Sequence, residues 1–131
     1  MATLRPRLVV NGAAAAIEYW RQVFGAEEIE RHTDPGGAIV HAELAIGDAR
    51  FATKDEDDTD RAPTSRGGGT SVLLMLAVDD VDVLAERMVA LGGTVLFPIA
   101  DAEEGGRGGR IRDPYGHEWM ISQRRGGNDA A

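Results

Sequence analysis

A plan that occurs twice along the chain constrains the fold more tightly than any single motif does. In the first half, Leu8-Val9-Val10 reads as a short strand (Arg5 to Val10) entering a core. Asn11-Gly12 turns the chain, and Ala13 to Phe24 follows as a helix. Alanines favour that helix, and Ile17, Trp20 and Phe24 recur at three- and four-residue spacing. Gly25 stands where a left-handed residue is expected just past a helix C-terminus. In the second half, Val72 to Val78 reads as a strand and Asp79-Asp80 as a turn and helix start. Val81 to Leu91 then forms a helix carrying Leu84, Met88 and Leu91, closed by Gly92-Gly93. Val10-Asn11-Gly12 thus parallels Val78-Asp79-Asp80, and Phe24-Gly25-Ala26 parallels Leu91-Gly92-Gly93.

Hairpin-forming strands follow each helix. Ala26 to Thr33, the turn Asp34-Pro35-Gly36-Gly37, and the alternating Ile39 to Ile46 lead through Gly47-Asp48 into Ala49 to Thr53. In the second half the sequence predicts a strand over Thr94 to Ile99, a glycine-rich loop over Ala102 to Gly109 and a short strand over Arg110 to Arg112. Asp113-Pro114-Tyr115-Gly116 is a tight turn, and the segment from His117 to about Gln123 alternates as a half-buried strand. Each half is β-α-β-β-β, and one helix cannot cover both faces of such a sheet. The expected fold is therefore α+β: two βαβββ modules forming a curved eight-stranded mixed sheet around a concave cleft, with two helices on the outer face. Such a cleft has small-molecule size. The modules are placed at 1–54 and 71–125. Between them, residues 55–70 read as a solvated linker or lid-like loop, because Pro63, Ser65 and Gly67 to Gly69 offer no packing face. Residues 126–131 read as a frayed tail.

Composition excludes several classes. A chain of 131 residues buries roughly 65–70% of its unfolded surface and needs no staples to fold. With no cysteine, thiolate metal sites, disulfides and thiol catalysis are ruled out. No apolar run approaches the roughly 20 residues of a membrane span, and the N-terminus lacks the apolar core of a signal peptide. A cytoplasmic protein without a membrane partner is expected. A formal charge of −8 argues against a nucleic-acid partner. Acids gathered around a pocket would favour a cationic ligand, and a solubilising surface accounts for them equally simply.

Certain segments carry a resemblance. They are Leu8-Val9-Val10 before Ala16-Ile17-Glu18-Tyr19-Trp20, Phe24-Gly25-Ala26, His41-Ala42-Glu43-Leu44, Gly47-Asp48, and Asp113-Pro114-Tyr115-Gly116-His117-Glu118-Trp119. Over about residues 4–124 the chain resembles the vicinal oxygen chelate superfamily (glyoxalase, bleomycin resistance protein, dioxygenase), and most of all its PhnB-like branch. That resemblance implies a small-molecule ligand and a homodimer, and in the enzymatic members a divalent ion held by four His/Glu positions. Those positions fall here on Arg5, Ala52, Leu73 and Met120. Arginine carries only donors, alanine and leucine have no lone pairs, and a thioether prefers soft metals. No metal site and no cofactor are expected, with a relocated divalent ion as the alternative.

Strand parity supplies the remaining candidates. His41 and Glu43 lie two apart on a strand and share a face, opposite Val40, Ala42, Leu44 and Ile46. Glu118 shares parity with Met120. His41, Glu43 and Glu118 are thus candidate acid/base residues, or merely partners of one another and of arginines; no catalytic role is assigned. Arg5 and Arg7 are placed to clamp an anion, or to pair with Glu43 and Glu118. Leu73, Met75 and Met120 give apolar, adaptable surface. The expected ligand-binding set is Arg5, Arg7, His41, Glu43, Leu73, Met75, Glu118 and Met120. His117 is expected beneath its turn and His32 on the surface. The Gly105 to Gly109 run does not join a strand to a helix N-terminus, so it is no P-loop, and Glu104 stands where the resembled branch carries an aromatic. Two functions stay open. One is a protein that sequesters or carries a small molecule. The other is a lyase- or dioxygenase-type enzyme using a relocated metal or a metal-free His/Glu pair.

Overall fold

The computed structural model describes residues 1–123, so the tail expected at 126–131 lies outside the described residues. The chain divides into two compact units that meet between Gly69 and Thr70. The first contains β1 (Arg7–Val10), α1 (Ala13–Phe24), β2 (Glu27–Thr33), β3 (Ile39–Ile46) and β4 (Ala49–Asp55). The second contains β5 (Leu74–Val78), α2 (Val81–Ala90), β6 (Thr94–Asp101), β7 (Arg107–Arg112) and β8 (Glu118–Gln123). Each unit is a four-stranded mixed sheet with one helix, ordered β1-β4-β3-β2 and β5-β8-β7-β6. This is the α+β, twice βαβββ architecture expected. Among the described residues no helix is long and apolar enough to cross a membrane.

The likeness of the two units extends to register. β1 runs parallel to β4 with Arg7 beside Ala52, and β5 runs parallel to β8 with Leu74 beside Trp119, at the same sequence separation. In the first unit, the last residue of this pairing sets Val10 beside Asp55. Asp55 Oδ1 there accepts from the N–H groups of Gly12 (3.2 Å) and Ala13 (2.7 Å), and Oδ2 accepts from Ile39 N–H (2.8 Å). In the second unit Val78 lies beside Gln123, whose Oε1 accepts from Val81 N–H at 3.0 Å. Both helix starts are therefore satisfied from the end of the last strand of their own sheet, as unpaired helix N–H groups require. The second helix has an additional cap, Asp80, which accepts from Val83 N–H; Gly12 has no side chain to do so.

Both cores follow from strand parity. In the first, Leu8, Val10, Ala42, Leu44, Phe51 and Thr53 are buried with the Ala13, Ala16, Ile17, Trp20 and Val23 stripe of α1. Trp20 meets Phe51 edge to face at 5.4 Å. Val23, rather than the expected Phe24, completes the stripe. In the second unit, Ile111, Trp119 and Ile121 are buried with Val81, Leu84 and Met88, while Leu91 is exposed. Asp113 is almost wholly buried, accepting from the N–H groups of Tyr115 and His117 through Oδ1 and from Trp119 Nε1 through Oδ2. The His117 backbone is thus tied into its turn.

Two segments differ from the sequence reading. The acidic run after Thr53 is not free of the fold. Lys54 and Asp55 belong to β4, and Ala62 and Pro63 are buried. Buried Lys54, the only lysine, donates to Asp57 (2.7 Å) and Asp60 (2.8 Å), and Asp57 also accepts from the N–H groups of Thr59 and Asp60. The glycine-rich loop is also shorter than expected: it closes between Ala102 and Gly106, and Gly108 and Gly109 lie within β7. A side chain there would strike neighbouring backbone. A Cβ on Gly108 would sit 2.5 Å from the Ile121 carbonyl oxygen, and one on Gly109 2.6 Å from that of Phe97. These glycines permit close strand approach rather than looping.

Two outcomes are expected. Asp55→Ala strands three N–H groups and should cost about 2–3 kcal/mol in urea unfolding, whereas Gln123→Ala, stranding one, should cost about 1 kcal/mol. The second outcome concerns pH. The Lys54 hydrogen bond, joined by those of the Asp60 and Thr59 N–H groups, lowers the Asp57 carboxyl to about 2, from an ordinary 3.8, and the two aspartates raise the lysine above its ordinary 10.5. A depressed carboxylate contributes stability above its unfolded value and loses it as pH falls through its folded value. A raised lysine contributes below about 10.5 and loses that contribution above it. Lys54→Met should therefore reduce the excess fall in unfolding midpoint that the wild type shows between about pH 4 and pH 2, the remainder being held by the Asp60 and Thr59 N–H groups.

Candidate functional site

Strand parity turns the second row of side chains on each sheet away from its helix, and these faces hold the candidates. In the first unit Arg5, His41 and Glu43 come together. Glu43 is buried on β3 and ion-paired to Arg5 Nη1. His41 Nε2 lies 3.7 Å from the other oxygen of Glu43. Arg7 does not join them; its Nη2 donates to the Val40 carbonyl at 2.7 Å. The register of β2 against β3 sets Glu30 opposite Glu43 and His32 opposite His41. His32 Nε2 shares a 2.6 Å hydrogen bond with Glu30, and its ring centroid lies 6.2 Å from that of His41. The hydrogen bond with His32, aided by the charges of His41 and Arg5, holds the Glu30 carboxyl below the usual range. The outcome is an alternating row of acid and base in which Glu43 is committed to Arg5. Sequence reasoning missed Glu30 and dismissed His32. Their parity on β2 was available, but the bulge between Glu28 and Glu30 shifts the register that brings them opposite β3.

The second unit holds a cavity of about 560 Å³. Met75 on β5, Met120 on β8 and Phe97 on β6 supply apolar surface, Arg107 and Arg110 on β7 are its two cations, and Gly108 and the 102–106 turn form part of the wall. Register explains the grouping, because Met75 pairs with Met120, Met120 with Arg110, and Arg110 with Phe97 across successive strands. The Arg110 guanidinium lies 5.0 Å from the Phe97 ring centroid, a cation–π contact. Arg107, at the foot of β7, is fully engaged. It donates twice to Asp82 in the first turn of α2 (2.9 Å each) and once to Asp101 (3.0 Å), which lowers the Asp82 pKa and raises its own.

Met75 and Met120 of the expected set thus line the cavity. Leu73 precedes β5, is partly exposed and does not line it. Glu118 lies just outside the lining, 3.7 Å from Arg110 and 3.9 Å from Arg112, so its partners are arginines of its own sheet rather than Arg5 or Arg7. Phe97 and Arg110 were not anticipated. Phe97 lay inside a predicted strand of undetermined register, and Arg110 was taken only as part of a short strand.

The positions at which family resemblance would put metal ligands carry Arg5, Ala52, Leu73 and Met120. Arg5 is ion-paired to Glu43, and the other three offer no oxygen or nitrogen. A divalent ion does not fit this donor set. Among the described residues no three His, Asp or Glu side chains converge as a metal-binding group.

Comparison with known proteins agrees with the fold. Residues 3–121 match the model of the Glyoxalase/Bleomycin resistance protein/Dioxygenase superfamily. The uncharacterized protein Mb0911c of Mycobacterium bovis is 38% identical over 92% of this chain and 82% of its own length. Among solved structures, TioX from Micromonospora sp. ML1 is 26% identical, with a TM-score of 0.72 over 94% of this chain and 98% of that one. The fosfomycin resistance protein FosX from Listeria monocytogenes, at 18% identity, shares the fold with a TM-score of 0.74 over 92% of this chain and 91% of its own. The PhnB protein from Bacillus cereus, also 18% identical, superposes with a TM-score of 0.70 over 93% of this chain and 99% of its own. On the match of sequence and of fold, the chain belongs to the Glyoxalase/Bleomycin resistance protein/Dioxygenase superfamily.

Proposed function

We propose that this protein binds a small organic molecule in the cavity of its second unit, and that it carries or sequesters that molecule. The observation supporting this most directly is the cavity of about 560 Å³ with Met75, Phe97 and Met120 on its walls. That volume is drug-sized, and an apolar lining with few polar groups is the ordinary character of a ligand site. Methionine side chains adapt to irregular ligands, and Phe97, more than half exposed, offers an open ring face or edge to a guest. The poor fit of the Arg5, Ala52, Leu73 and Met120 set to a divalent ion supports binding over metal-assisted turnover.

The second reading, a metal-free acid/base enzyme, draws support from His41 beside buried Glu43. The Arg5 ion pair counts against it, because a general base must be free to take a proton. Membership in a superfamily with many dimeric members supports a homodimer, for which light scattering should return twice the 14.0 kDa chain mass.

The neutral aromatic amine N-phenyl-1-naphthylamine is a suitable first probe, because its fluorescence rises in apolar surroundings. One saturable site per chain is expected, and Phe97→Ala should weaken it by about fivefold or more through lost aromatic contact. Saturable binding untouched by Phe97→Ala and by Met75→Ala would place the site elsewhere. Turnover of a bound compound, abolished by His41→Asn, would favour the enzyme instead.

A further inference from the structure

Resting on the reading of the cavity as a ligand site, we propose that its ligand is a flat apolar molecule carrying a single carboxylate, received by Arg110. Arg110 and Arg112 share one carboxylate, Glu118, at 3.7 and 3.9 Å, distances beyond hydrogen-bond length. The Nε atoms of both arginines are buried without a hydrogen-bond partner. The sealed Nε marks Arg110 as under-partnered within the protein, and the part of its side chain that stays exposed can offer a carboxylate the two parallel hydrogen bonds that suit a guanidinium fork. Arg107, on the same strand, shows the contrast: Asp82 and Asp101 take up its donors.

Of the two unsatisfied arginines, only Arg110 lines the cavity, and it lies over Phe97 on one side and beside Met120 on the other, with Met75 beyond Met120. A ligand whose flat body rests on those three side chains brings a terminal carboxylate to Arg110. Arg110 and Arg112 against Glu118 leave one positive charge in excess at this end of the cavity, while Arg107, also on its wall, is taken up by Asp82 and Asp101. The acids Asp101 and Glu104 on the cavity wall disfavour a more highly charged anion. A monoanion satisfies both conditions, although the chain as a whole carries −8. Glu118 then acts as the resident competitor from which the ligand takes Arg110.

The test is displacement of N-phenyl-1-naphthylamine from the full-length protein by two compounds of nearly equal shape, 1-naphthaleneacetate and its neutral amide, 1-naphthaleneacetamide. The acetate should compete about tenfold more strongly than the amide, as a charge-assisted hydrogen bond implies. Arg110→Met should erase that preference. Glu118→Gln should strengthen the acetate several-fold and leave the amide unchanged, a gain that unfolding cannot imitate; its absence would overturn the inference even if Arg110→Met fails to fold. Equal competition by acetate and amide, or displacement by neither, would also overturn it while leaving the cavity a ligand site. If N-phenyl-1-naphthylamine does not bind at all, the reading of the cavity fails first.

Discussion

Parallel pairing of the first strand with the last brings the end of each sheet beneath the start of its own helix, and the rest of each unit depends on what stands there. A helix begins with N–H groups that have no partner within it. Asp55 accepts from two such groups and also from Ile39 at the head of β3. One carboxylate thereby ties β1, α1, β3 and β4 at a single point. Gln123 occupies the same place in the second unit but, of the helix-start groups, engages only Val81 N–H, and there Asp80 does part of the work locally. The two units therefore keep one backbone plan while dividing the capping task differently. The first unit depends on a long-range acceptor because Gly12 has no side chain to serve as a local one.

How much of this the sequence disclosed depends on range. The limits of α1, the left-handed Gly25, the Asp80 cap and the Gly47-Asp48 hairpin were all readable, because each is fixed by a residue and its immediate neighbours. Asp55 was not readable. It sits in the run Lys54-Asp55-Glu56-Asp57-Asp58, whose composition is that of a solvated loop, and only the β1–β4 register reveals that it ends a strand. Gly108 and Gly109 misled in the opposite way. A glycine cluster suggests a loop, yet the reason for these two is the carbonyl oxygen of a neighbouring strand. The turns at Asp34 and Asp113 add a further lesson. Both use the same hydrogen bonds, the aspartate N–H to the carbonyl four residues on and the side chain back to that residue's N–H. Yet one joins β2 to β3 and the other β7 to β8, so their likeness reflects turn chemistry and not equivalent places in the repeat.

The same distinction runs through the candidate site. Parity alone placed His41 with Glu43 and Met75 with Met120 on shared faces, and the Arg5–Glu43 pair was among the alternatives considered. Phe97 required the register of β6, which shifts twice between Val95 and Ala100 and cannot be counted from residue spacing. Arg110 pairs with Met120 in the unbroken β7–β8 register and was hidden instead by the glycines before it, which suggest a loop rather than the strand they belong to.

The faces turned away from the two helices have followed opposite courses, and charge accounts for the difference. On the first sheet and its flank Arg5 closes on Glu43, His32 bonds Glu30, Lys54 is consumed by Asp57 and Asp60, and Arg7 is bound to the Val40 carbonyl. Such a set has little left to offer a guest, because any polar ligand must first displace a partner that is already held. On the second sheet the glycines of β7 remove side chains where the strands draw close, the methionines and Phe97 provide apolar walls, and Arg110 faces Glu118 across a gap too long for a hydrogen bond. The repeated plan supplies two equivalent frames. Saturating one with internal ion pairs while leaving the other short of an acceptor makes the second unit the more receptive to a ligand, with no change to the backbone plan they share.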